Sequence, residues 1–408
     1  MTDKYKQGLK ELAKEHSLYP QEQLATISKS PQSLTIGIPK EVSRQEHRVS
    51  LTPQAVGVLT SHGHEVLVES NAGRTSKFFD NEYSDAGARI VYSAKDVYES
   101  DIVLKVEPPT MEELEMFKPG KTLISALQIG DQKKEYIEAL QKKKITAIAY
   151  EYIEDKVGGM PVVRAMSEIA GNSCMLIAAE YMSSIIDGKG LILGGITGVP
   201  PTKVVILGAG TVGEYAARAA LGLGACVEVY DDHIYKLRRI RHILGQQVFT
   251  STVDPITVGN TLETADVVIG AIRAEKGRAK VIVTEEMVAN MQPESIIIDV
   301  SIDQGGCIET SEVTNHNKPI FRKYEVIHYC VPNIASRVAR TATMAFSHIF
   351  LPMLINMSDA GGVEDHIFSD KGFMAGVYVY KGSLTNEHIG RKFDLKSKNL
   401  DLLRAARF

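Results

Sequence analysis

Four places in the chain combine residue types and spacings that could do chemistry. The most specific is Gly208-x-Gly210-x-x-Gly213, which follows the β-branched run KVVIL, opens an alanine-rich stretch and meets the acid Asp231 about 20 residues later. Gly208 permits a tight turn, Gly210 lets backbone approach a pyrophosphate, and Gly213 lets helix and strand pack closely. An anion would then sit at the positive end of the helix. Asp231 would accept a hydrogen bond from the adenosine ribose 2′-hydroxyl and would repel a 2′-phosphate. The pattern implies a bound dinucleotide, NAD rather than NADP; the plainer alternative is a βαβ turn with an acidic loop residue.

The other three places are charged residues at strand ends, where open α/β sheets bind their ligands. Arg48, in HRVSLTP, precedes a helix start with Thr52 as N-cap and Pro53 in the first helical position. Its guanidinium could grip a carboxylate with two parallel hydrogen bonds. Lys105 ends the apolar run DIVLKV, and the following EPP stops the strand. Asp303 follows IIIDVSI and precedes Gln304-Gly305-Gly306, a flexible loop near the expected nicotinamide. Each has a blander reading: a surface ion pair for Arg48, a snorkelling stem for Lys105, a turn residue for Asp303. Asp299, inside the strand, reads as structural.

The elements that must position these groups alternate. Residues 34–39, 65–69, 88–92, 101–106, 122–127 and 145–150 are short apolar runs, separated by helical patterns such as PQAVGVLTSHG and KKEYIEALQKKK. An apolar-periodic stretch over 164–186 predicts a helix crossing to a second domain. The glycine unit and further strands at 267–272 and 296–301 follow there, and a helix over 339–358 returns to the first domain. The chain thus predicts an α/β protein of two Rossmann-like doubly wound domains with a cleft between them. The first domain is discontinuous, 34–163 with 337–408; the second spans 164–336; residues 1–33 form a polar extension.

Composition narrows the function classes. A net charge of −4 without a basic block argues against nucleic acid or an anionic membrane as partner. Apolar segments broken by Gly, Pro or charge argue against a membrane segment, and MTDKYKQGLKELAKEH lacks a signal-peptide core. Cys174, Cys226, Cys307 and Cys330 are scattered, which predicts small buried side chains of a reduced cytoplasmic protein and no metal site.

At this point the residues carry a resemblance. IGIPKEVSRQEHRVSLTP, DIVLKVEPP, RAMSEIAG, GGITGV, VILGAGTVGEYAARAALGLGA, DVSIDQGGC and YCVPNIASRV occur in the order found in alanine dehydrogenases. The related NAD-binding domain of proton-translocating nicotinamide nucleotide transhydrogenases shares that order, and the likeness continues through GVYVYKGSLTNEHIG. It implies reversible NAD-dependent deamination of L-alanine to pyruvate and ammonia by a homo-oligomer, commonly a hexamer, with a dimer as alternative. Arg48 and Lys105 resemble the substrate-binding pair, and Asp303 the catalytic acid beside the nicotinamide. Ser167, Thr211, Val212, Asp231, Lys236, Ala271 and Ile272 resemble cofactor contacts. So do Val300, Ser301 and Ile302, and the segment Val331, Pro332, Asn333 and Ile334.

Departures accompany the likeness. Alanine dehydrogenases place a catalytic histidine after the strand that here reads TLISALQIGD, and Gln128 occupies that position. A carboxamide exchanges no proton near neutral pH, so Lys105 with a burial-lowered pKa, or Asp303, would have to move the protons. His47 would face the opposite side from Arg48 in an extended segment. RAEKGRAK at 273–280, with Glu275 and Lys276 at its turn, replaces the usual proline-containing loop, and Ser336-Arg337-Val338 looks more like the transhydrogenase version. Three readings therefore stand: a dehydrogenase of a small 2-amino acid, a transhydrogenase-like subunit passing hydride to a partner-bound nucleotide, and a noncatalytic NAD-binding homologue.

Overall fold

The computed structural model describes residues 31–274 and 277–405, so most of the polar extension and the turn residues Glu275 and Lys276 lie outside the described residues. The β-branched runs form strands β1 (Thr35–Ile38), β2 (Glu65–Glu69), β3 (Arg89–Val91), β4 (Ile102–Leu104), β5 (Thr122–Ser125) and β6 (Thr146–Ala149). There follow β7 (Lys203–Leu207), β8 (Cys226–Tyr230), β9 (Phe249–Ser251), β10 (Val267–Gly270), β11 (Ile296–Asp299), β12 (Ile320–Lys323) and β13 (Val326–Tyr329). The last are β14 (Val377–Tyr380) and β15 (Ser383–Leu384).

Two sheets result, ordered β15-β14-β6-β5-β4-β1-β2-β3 and β12-β13-β11-β10-β7-β8-β9. Strands β1 to β6 are parallel, as are β7 to β11 with β13, so both sheets repeat one doubly wound plan; β14, β15 and β12 add antiparallel edges. The order reverses between β1 and β4 in one sheet and between β7 and β10 in the other. Those switch points open the crevices in which such sheets hold ligands. The C-terminal β14 pairs with β6, so the chain does return to its first sheet.

Strand β7 explains the continuous apolar runs. Val204 and Ile206 enter one core with Cys174 and Ala216, while Val205 and Leu207 enter another with Val258 and Leu262. A parallel strand covered on both faces has no polar side to show, and each such side chain contributes about 1.5–3 kcal/mol relative to exposure.

Two long helices join the lobes. The crossing helix Pro161–Tyr181 starts with a proline at its first turn and ends before a separate 3-10 turn, Ser184–Ile186, so the helix expected through 186 stops earlier. The return helix Ala339–Asp359 buries Phe346, Phe350, Leu354 and Met357 in the first core. Residues 334–359 are long and apolar enough to cross a membrane by length and composition, which corrects the expectation that every apolar stretch is interrupted; Pro352 lies inside the helix. Its buried face is that of a core helix. Cys226 is also a correction: it is exposed at the first position of β8, while Cys174, Cys307 and Cys330 are buried.

Candidate active site

The glycine turn is built by contacts only glycine tolerates. Gly208 has φ +113°, and a Cβ there would stand 2.4 Å from the Ala271 carbonyl oxygen; at Gly213 it would stand 1.9 Å from the Gly208 oxygen. Gly210 caps the helix Thr211–Gly222 without a side chain, and nothing lies within 4 Å of where its Cβ would be, so the first peptide N–H groups face open space. Asp231, just past β8, accepts from the backbone N–H groups of Ala209 and His233, each at 2.8 Å; the Lys236 ammonium is 3.9 Å away. An open cradle at a helix N-terminus with a buried acid beside it fits a dinucleotide. A groove of about 830 Å³ runs beyond Asp231 along Arg238, Arg241 and His242, but the groups suited to catalysis lie elsewhere.

They line a cavity of about 360 Å³ between the lobes. Val212, Ala271, Ile272, Val300, Ser301 and Asp303 form one wall, continued by Val331, Asn333 and Ile334. The crossing helix supplies Met166 and Ser167, and the first lobe supplies Gln128, Tyr150 and Glu151. Ile302 is buried beneath its turn, and neither it nor Pro332 lines the cavity. Asp303 sits in a 3-10 turn, Val300–Gln304, in which Asp299 accepts from the Ser301 N–H; of the expected loop Gln304-Gly305-Gly306, Gln304 closes that turn. Asp299 also accepts from Cys307 N–H and the Ser311 hydroxyl, the structural part assigned to it.

Neither Arg48 nor Lys105 lines this cavity; Arg48 stands behind its Met166 wall. Arg48 is buried, its Nη1 3.3 Å from the Met166 sulfur and its guanidinium 5.2 Å from the Phe346 ring centre. The two-pronged hydrogen-bonded pair expected with a ligand is made instead with Glu46, at 2.7 Å from Nε and 2.5 Å from Nη2. Asn333 reaches Glu46 from the cavity wall, donating through Nδ2 at 2.8 Å. Burial alone would raise the Glu46 carboxyl, but Arg48 outweighs it and holds Glu46 below the usual range.

Lys105 is wholly buried, paired with Glu41 and 3.7 Å from Glu113. Desolvation opposes its charge, yet the two glutamates keep it above the ordinary lysine range. This overturns the burial-lowered lysine that the sequence suggested: two carboxylates outweigh one desolvation, and Lys105 is a fixed cation. Glu41 is pushed up to about 7 by burial, with Lys105 pulling the other way. Arg48 and Lys105 share a neighbour in Glu107, which burial and Glu46 raise and both cations lower.

Asp303 accepts from Asn333 N–H at 3.2 Å. Burial of the carboxyl pushes it up to about 6, while the rest of the residue opens to the cleft. Gln128 is exposed to the cavity with φ +44°. Its backbone N–H and that of Leu127 both donate to Glu151 Oε1, at 3.0 and 2.9 Å. His47 lies in a different groove with Ser336 and Arg337. Among the described residues no group of three His, Cys, Asp or Glu side chains could hold a metal. Sequence reasoning assigned no role to Glu41, Glu46 or Glu151, although Glu151 directly follows the run ITAIAY, where a charge just past a strand was the signal to follow.

Both lobes match known families. The model described as "Alanine dehydrogenase/PNT, N-terminal domain" matches residues 37–170, and "Alanine dehydrogenase/PNT, C-terminal domain" matches 174–387. The chain belongs to the alanine dehydrogenase/PNT family. Alanine dehydrogenase 2 of Staphylococcus aureus (strain USA300) is 37% identical over 369 residues, 90% of this chain and 99% of that protein. A solved L-alanine dehydrogenase superposes with a TM-score of 0.84 at 35% identity, covering 88% of this chain and 99% of the other. A transhydrogenase from Sinorhizobium meliloti superposes with a TM-score of 0.74 at 25% identity, covering 87% and 99%. Membership of the alanine dehydrogenase/PNT family makes the chain an oxidoreductase with a nucleotide-binding lobe of the Rossmann type.

Proposed function

We propose that this protein catalyses the reversible NAD-dependent oxidative deamination of L-alanine to pyruvate and ammonia. The observation that carries this reading is one cavity walled by the glycine-turn lobe on one side and by Gln128, Tyr150 and Glu151 on the other, with Asp303 facing in. Gly208, Gly210 and Gly213, the start of the helix at Thr211, and Asp231 would hold NAD, with Ser167, Ala271, Ile272 and the 331–334 segment about its nicotinamide end. Bound there, the oxidised nicotinamide supplies a two-electron acceptor for the hydrogen on the substrate α-carbon.

The chain's own residues do the rest. Arg48, braced by Glu46, and Lys105 place positive charge beneath the cleft, and the free Nη1 corner of Arg48 would reach the substrate carboxylate once the lobes close. Asp303, once ionised, faces the positive charge that develops at the amine-bearing carbon. Closing the cavity excludes bulk water and strengthens each of these interactions. A soluble, cytoplasmic homo-oligomer accompanies the reading.

Steady NADH appearance with L-alanine and NAD at alkaline pH tests it, together with a panel of glycine, serine and 2-aminobutyrate. A second reading draws on Gln128, on Ser336-Arg337-Val338 and on the likeness to a transhydrogenase: an NAD(H)-binding subunit that serves a partner-bound nucleotide. It expects tight NADH binding without turnover of any amino acid.

A further inference from the structure

The cavity holds a carboxyl group that its own chain leaves half-used. Glu151 Oε1 is anchored by the Leu127 and Gln128 peptide N–H groups, so the side chain is fixed in place by the very turn that carries Gln128. Its Oε2 is shielded from solvent and has no hydrogen-bond partner. No cation pairs with Glu151 among the described residues. Tyr136, Tyr150 and Tyr378, whose hydroxyls feel the Glu151 charge, are all raised well above neutrality by burial first and so remain uncharged. An ionised oxygen without a partner in such a place costs free energy that a proton removes. Burial accordingly raises the Glu151 carboxyl, against the backbone hydrogen bonds that lower it.

The other groups in or near the cavity do not meet this need. Gln128 exchanges no proton, and Lys105 is locked as a cation between Glu41 and Glu113. Asp303 sits on the opposite wall, in contact with water in the open cleft, where its charge serves the developing cation. Two carboxyl groups in unlike surroundings take unlike parts.

We propose that Glu151 is the catalytic acid and base of the deamination, exchanging the protons of the attacking water and the departing amine through Oε2. The assignment rests on the amino-acid dehydrogenase reading above. The step starts from the iminium, the species left when the neutral amine form of the amino acid, present at alkaline pH, has given up its α-hydrogen with two electrons. A water oxygen bonds to the iminium carbon, and the proton it sheds passes to Glu151 Oε2. Glu151 then returns that proton to the amine nitrogen. The C–N bond breaks, the hydroxyl proton leaves with the nitrogen, and the products are the 2-oxo acid and an ammonium ion.

The test uses the full-length protein and Glu151→Gln, whose amide oxygen still accepts from both peptide N–H groups. With carboxyl-13C glutamate, the resonance missing from the variant is followed against pH. A midpoint more than about one pH unit above the ordinary 4.3 supports the assignment, and a midpoint at or below it overturns it. In parallel, Glu151→Gln should lower kcat with L-alanine by about 100-fold or more, with the NADH Kd within about twofold of wild type. Adding Gln128→His, which supplies an imidazole, should recover about tenfold of that loss. Near-normal kcat in Glu151→Gln overturns the proposal, as does a parallel collapse of Tm and NADH affinity without imidazole recovery, the mark of a structural residue. Wild type that turns over no small amino acid sinks the deaminase reading itself. That outcome differs visibly from a working wild type whose variant works equally well.

Discussion

Glu46 holds Arg48 by three hydrogen bonds: Oε1 accepts from Arg48 Nε at 2.7 Å and from its backbone N–H at 2.8 Å, and Oε2 accepts from Nη2 at 2.5 Å. One edge of the guanidinium is thereby spent inside the first lobe, leaving the Nη1 corner turned toward Met166 and the cavity. Asn333 donates to the same carboxylate, so the orientation of Arg48 is tied to the second lobe as well.

Removing that brace should cost stability before it costs chemistry. Glu46→Ala leaves a buried guanidinium unpaired, and a loss of about 3–5 kcal/mol is expected by urea unfolding at neutral pH. Since Arg48 holds Glu46 below the ordinary carboxyl range, the pair's contribution is present above about pH 4.3 and fades as pH falls through the lower folded value. A variant as stable as wild type at neutral pH would show that the pair carries no net weight.

Lys105→Ala should abolish alanine turnover while NADH binding, measured by fluorescence, persists. Glu41 and Glu113 would lose their common cation, and the Glu41 carboxyl would rise beyond the value of about 7 it has beside Lys105. Near-normal turnover in this variant would remove Lys105 from the mechanism.

Asp303 has a raised folded pKa, so its sign is opposite to that of Glu46. Its contribution to stability is complete below the ordinary carboxyl value near pH 3.9 and is lost as pH rises through about 6. Asp303→Asn should therefore match the Tm of wild type at pH 4 and exceed it modestly at pH 8. Wild-type kcat/KM should rise with pH through about 6 as the carboxyl ionises, and the variant should lack that limb while losing about 100-fold in rate. The same limb in both proteins would assign it to another group.

Asp231→Ser should raise affinity for NADP relative to NAD, read as the ratio of the two Kd values. Because Asp231 also accepts from Ala209 and His233 N–H groups, the glycine turn loosens and NAD itself binds more weakly. An unchanged ratio would contradict the ribose role.

Much of this was legible before folding was considered. The short apolar runs place β1 to β7, β10 and β11, most of them because strands covered on both faces must be apolar throughout. Thr52 caps its helix as its type and position suggest, accepting from Ala55 N–H at 3.3 Å. The hairpin of β12 and β13 was not legible. Its two-residue turn is Tyr324-Glu325 at φ +53° and +59°, where asparagine and glycine are the usual signals.

By itself the sequence settled the kind of fold, the glycine turn and the family, since these depend on local spacing along consecutive residues. Only the tertiary structure decided the electrostatics. Glu41 and Glu46 share the loop after β1 while Glu113 comes from the helix Met111–Met116, and that Lys105 meets Glu41 and Glu113 depends on distances that no linear spacing encodes. The protonation of Lys105 and the bare oxygen of Glu151 follow from those distances, because charge in a low-dielectric interior answers to its nearest partners in space, not in sequence.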